Sequence, residues 1–159
     1  RLMAKIAFTG LESYLKQLEK LEQNTTDIAK QAVYEGAKVT ADAIRSGIEG
    51  LRTDGPSAYE TKRRETQKKG LQESFGLSPM ENDQGFLHVR AGFDGYNSIQ
   101  TKKYPQGQPN AMIARVFNSG TSFSSKQPFF DHSVRSSKGA AEQKIKEVFE
   151  TEIKKIVKE

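Results

Sequence analysis

Asp131, His132 and Ser133 stand side by side and offer the three groups that a nucleophilic hydrolase uses. Consecutive residues of a helix point about 100° apart. The three therefore cannot converge on one substrate atom, as nucleophile, base and orienter must, and a capping or surface role is expected for His132. The second histidine, His88, alternates with apolar neighbours and is expected on the solvent face of a strand. No His and carboxylate pair has metal-site spacing along the chain. Gly36-Ala37-Lys38 lies inside a helical pattern and lacks the preceding glycine and strand of a phosphate-binding loop. The absence of cysteine excludes a disulfide scaffold, a thiolate metal site and a cysteine nucleophile. Asn24-Thr25-Thr26 matches a glycosylation sequon, but helix capping explains it better. No catalytic, cofactor-binding or metal-binding residue is expected, and the chain is read as a binding or structural protein rather than an enzyme.

The chain has 159 residues and a formal charge of +5. That length suits a single domain with a core of its own. No apolar run approaches the ~20 residues that span a bilayer, and no signal segment opens the chain. Synthesis in the cytoplasm is expected, with Met3 as the natural start. Lysines and glutamates alternate along most helical stretches, as on any solvated face. The local excess of positive charge lies in residues 52–70, with Arg52, Lys62, Arg63, Arg64, Lys68 and Lys69 and almost no large aliphatic residue. This stretch is read as an exposed, mobile basic loop. A small basic nucleic-acid-binding protein is the alternative function, but Tyr59 is the only aromatic interleaved with these charges, and base stacking needs more. A small hydrolase is a remoter alternative, because no constellation supports it.

The positioning elements are legible in hydrophobic periodicity. Residues 10–22 carry Leu11, Leu15, Leu18 and Leu21 at helical spacing. A second helix starts at the capping run Asn24-Thr25-Thr26 and keeps an apolar stripe from Ile28 to Ile48. Gly36 on that stripe costs about 1 kcal/mol in propensity, so close packing of another helix is the expected reason for it. Residues 71–78 and 86–93 alternate as strands, and residues 81–85 supply turn residues between them, which predicts a β-hairpin. Residues 94–109 form a second long loop that includes Tyr96 and Tyr104. Residues 111–118 fit a short helix slightly better than a strand. Pro128 opens a final helix carrying Phe130, Val134, Ala141, Ile145, Val148, Phe149, Ile153 and Ile156, and Ser136 to Gly139 are expected to kink or divide it. The fold expected is α+β: long helices on a small, mainly antiparallel β-sheet, with two long loops.

Several phrases fall in a familiar order. Val116-Phe117-Asn118-Ser119-Gly120-Thr121 is followed by a polar loop and by Gln127-Pro128-Phe129-Phe130, ahead of the long C-terminal helix. Gly70-Leu71-Gln72-Glu73-Ser74 precedes the hairpin, and an alanine-rich helix surrounds Gly36-Ala37. This arrangement resembles the minor tail or tail-completion (neck) family of long-tailed bacteriophages and prophages. In that family an aromatic–acidic–aromatic–Gly-Thr phrase leads through a loop to Arg-Pro-Phe-Leu. Asn118, Ser119 and Gln127 depart from the pattern, and the loop at 94–109 is longer. The resemblance implies a structural virion protein without a cofactor, located at the tail or neck and in the host cytoplasm during assembly. It implies head–tail joining or tail completion, with other tail, neck and connector proteins as partners and a homo-oligomeric ring on assembly. It gives Phe117, Gly120, Thr121, Pro128, Phe129 and Phe130 structural roles. The assembly contacts are expected on Arg52, Lys62, Arg63, Arg64, Lys68, Lys69, Tyr96 and Tyr104, with neither nucleic acid nor membrane as partner.

Overall fold

The computed structural model describes residues 3–6 and 25–157. The helix expected over residues 10–22 lies outside them. The fold is α+β. Strand β1 is Met3–Ile6, helix α1 Thr25–Glu49 and helix α2 Ala58–Ser74. Strands β2 (Phe75–Leu77), β3 (Glu81–Asp83) and β4 (Phe86–Phe93) come next, then helices α3 (Asn110–Ser119) and α4 (Phe129–Val157).

Strand β4 is the centre of a fully antiparallel sheet. It pairs with β1 along one edge, Ala4 opposite Ala91, and with β2 along the other, Gly76 opposite Gly92. Strand β3 continues β2 toward the hairpin end, with Glu81 opposite His88 and Asp83 opposite Phe86. Pro79 lies between β2 and β3; without an N–H it cannot extend the ladder. The turn is only Gln84-Gly85, both at positive φ, as a tight hairpin turn requires. It is shorter than the five-residue turn expected.

Helix α1 packs on β4 and, most extensively, on α4. Ile28, Val33, Ile44 and Ile48 from α1 join Leu87, Val89 and Phe93 from β4 and Phe130, Ile145 and Phe149 from α4 in one apolar cluster. A Cβ on Gly36 would lie 2.7 Å from Cγ1 of Ile145, so the missing side chain sets the approach of the two helices. Ser133 Oγ donates to Ala43 O, and Ser137 Oγ donates to Thr40 Oγ1, across the same crossing. Ser136 to Gly139 do not divide α4, which runs unbroken through them, and Ser137 is buried at this crossing.

Residues 52–70 are not a long loop. Residues 58–74 are helical, which leaves only Arg52 to Ser57 as a connection. Ser57 Oγ accepts from Glu60 N, in the Ser-x-x-Glu spacing that marks a helix start. The rest of α2 is mostly straight-chain Lys, Arg, Glu and Gln, which favour helix without any apolar stripe. Lack of aliphatic residues therefore marks a solvated helix here, not an unstructured chain. Helix α2 also reaches Ser74, so the strand expected from residue 71 begins at Phe75.

Candidate assembly surface

Helix α2 buries only Gly70 and Leu71. Its basic residues divide into two groups. Lys68 Nζ donates to Glu49 O and Leu51 O at 2.6 and 3.0 Å, satisfying carbonyls at and just beyond the end of α1. Arg64 donates to Asp54 O at 2.7 Å. Lys68 thus braces the end of α1, and Arg64 braces the 52–57 connection. Lys62, Arg63 and Lys69 make no side-chain hydrogen bond or ion pair among the described residues. Lys62 and Lys69 are exposed, and Arg63 is half-buried beside Val116 and Phe117. Arg52 is exposed, and its backbone is held by Gln127: Arg52 N donates to Oε1, and Nε2 donates to Arg52 O. Gln127, a departure from the resembled pattern, thus ties the start of this surface to the entry of α4.

Beside α2 the chain makes a tight turn. Gly120 caps α3 at φ 75°, and a Cβ there would stand 2.7 Å from Lys126 N. Thr121 and Ser124 exchange backbone hydrogen bonds, and Thr121 Oγ1 accepts from Phe123 N. The turn projects Phe123, which is 93% exposed. Phe123 lines hollows with Arg52 and Arg64 on one side and with Glu60, Arg63 and Gln67 on the other. It is not among the residues expected at an assembly contact. A lone phenylalanine among serines has no periodicity to reveal whether it points in or out.

Asn118 organises the entry to α4. Its Oδ1 accepts from Phe130 N and Asp131 N, and its Nδ2 donates to Asp131 Oδ2 at 3.0 Å. An amide caps α4 here while pairing with an acid, which a carboxylate could not do. Phe129 and Phe130 are buried, and both rings pack on Phe93 of β4. Phe117 is buried and Pro128 is exposed. His132 is exposed, while Ser133 is buried against α1, so the two turn away from each other.

The loop at 94–109 is closed at its base. Asn97 and Gln108, both buried, exchange backbone and side-chain hydrogen bonds, and Gln67 of α2 donates to Gln108 Oε1. Tyr96 stands 57% exposed beside this base. Tyr104 lies at the far end of the loop, with Lys103 Nζ 5.6 Å from its ring centroid, within the range of a cation–π contact. The structure brings Tyr96 near α2, where it shares a cleft with Lys69, Glu73 and Asn110.

His88 corrects an expectation: it is fully buried rather than solvent-facing. The hairpin register also joins residues whose sequence spacing suggested no metal site. Glu81, Asp83 and His88 lie with one ligating atom of each within 4.8 Å of the others. Fixing the turn at Gln84-Gly85 would have revealed this pairing.

Similarity to known proteins falls on the same elements. A family model described as "Bacteriophage HK97-gp10, putative tail-component" matches residues 12–94. No curated protein and no solved structure matches the chain. The matched stretch covers α1, α2 and the hairpin, together with the phrase Gly70 to Ser74, and ends before Gly120-Thr121 and Pro128-Phe129. It spans a little over half of the sequence, and on that match this chain belongs to the HK97 gp10-like family of bacteriophage tail components.

Proposed function

We propose that the protein is a structural component of the virion that completes the tail or joins it to the head. It acts at the neck or the end of the tail tube, as a ring of copies seated on other tail or connector proteins. Catalysis has no part in this reading. The observation that carries it is the basic face of α2, where Lys62 and Lys69 are exposed, Arg63 is half-buried, and none of the three side chains makes a hydrogen bond or ion pair among the described residues. Phe123 and Tyr96 add exposed aromatic area around that face. Arginine and aromatic residues dominate binding hot spots. Arg52, Arg64, Lys68 and Tyr104 contribute less directly, Arg64 and Lys68 by bracing the surface from within.

The test is a Lys62→Glu/Arg63→Glu/Lys69→Glu variant introduced into a phage that depends on this gene. Circular dichroism of the purified variant should match the wild type, because no core contact changes. Particles should fail to mature, leaving heads and tails unjoined or tails unfinished. Normal infectious yield would remove α2 from assembly.

A further inference from the structure

We propose that Glu81, Asp83 and His88 form a binding site for a divalent transition-metal ion, with zinc as the defining probe. Their placement is set by the hairpin. Glu81 is directly opposite His88, and Asp83 is two residues along β3, on the same face. Nε2 of His88 lies 2.5 Å from Oε2 of Glu81 and 3.5 Å from Oδ2 of Asp83.

Zinc bonds to nitrogen and carboxylate oxygen at about 2.0–2.2 Å, so two ligands on a tetrahedral ion stand about 3.4 Å apart. The His88–Asp83 separation is already close to that value. Glu81 need only withdraw by a side-chain rotation, and its side chain is 38% exposed. Asp83 is 63% exposed, so an ion can enter from solvent while the fourth position stays with water. An imidazole with two carboxylates suits zinc better than magnesium or calcium, which favour oxygen throughout. Arg90 Nε lies 3.3 Å from Oε2 of Glu81 and offsets one of the two negative charges. The remaining charge still favours a cation.

A second observation concerns His88 itself. Its side chain is fully buried, and Nδ1 has no hydrogen-bond partner among the described residues. Burial holds the ring in place and leaves its other nitrogen as the ligand atom it can offer a cation. Nε2 is the nitrogen aimed at the two carboxylates. A bound ion would link β3 to β4 beside the turn and fix the hairpin end.

The experiment titrates zinc chloride into the full chain by calorimetry in a non-chelating buffer, with melting followed in parallel. Saturation at one ion per chain and a raised melting temperature are expected. Glu81→Gln and Asp83→Asn should each weaken binding by at least about tenfold, since even outer-shell partners of metal sites are worth that much. Both residues are partly exposed, so their metal-free melting should hardly change. His88→Gln should abolish binding. If that variant does not fold, the two carboxylate variants decide. Absence of binding at about 1 mM zinc would overturn the proposal, as would stoichiometric binding that survives Glu81→Gln/Asp83→Asn. In either case the three residues are an ion-pair network only.

Discussion

Asn118 shows how one side chain sets the entry of a helix. It accepts from two backbone N–H groups of α4 and donates to Asp131. Asn118→Ala should cost about 1–2 kcal/mol, the usual loss for a capping residue, read from denaturant midpoints. Asn118→Asp should also destabilise, because it sets two carboxylates within hydrogen-bond distance. Asp131→Asn in that background should restore much of the loss, and additive effects in the double-mutant cycle would contradict the pairing. Phe130→Ala should cost roughly 3–5 kcal/mol, as for a buried phenylalanine, and an unchanged midpoint would contradict its burial. At this scale the sequence was legible where chemistry is local. Gly120, Thr121, Phe129 and Phe130 were given structural roles by the resemblance, and they lie in the turn after α3 and against Phe93. His88 was not, because alternation tells which face a residue takes but not what covers that face.

Helices α1 and α4 were legible as elements because their apolar stripes are periodic. Gly36 was also readable as a point of close approach. Gly36→Ala tests this with a change of sign. Propensity alone predicts a gain of up to about 1 kcal/mol. The structure predicts a loss, since the new Cβ meets Ile145, and a raised melting temperature would contradict the packing. Helix α2 was not legible in this way, because hydrophobic periodicity finds only helices that bury a stripe. Its signals are of another kind: Ser57-x-x-Glu60 at the start, and Glu60–Arg64 and Glu65–Lys69 at i,i+4 spacing. Lys68→Ala should destabilise by about 1.5–3 kcal/mol at most, the range for hydrogen bonds to a charged group. Lys62→Ala should have almost no effect. Equal effects of the two in thermal melts would contradict the division between bracing and free charges.

For the whole molecule, fold class was readable from the order of periodic segments, and membership of a tail-component family agrees with the resemblance over the stretch that holds Gly36-Ala37 and Gly70 to Ser74. The proposed assembly surface was harder to read, since it joins two distant stretches, α2 and the Phe123 turn, in space. A ring at the neck or the tail end has a definite consequence for composition. Its copy number is set by symmetry and does not depend on tube length. Quantitative mass spectrometry of purified, intact particles tests this directly. The chain should be present at a fixed, low number per particle, unchanged in tail-length variants of the same phage. Absence from intact particles, or a copy number that rises with tail length, would contradict it.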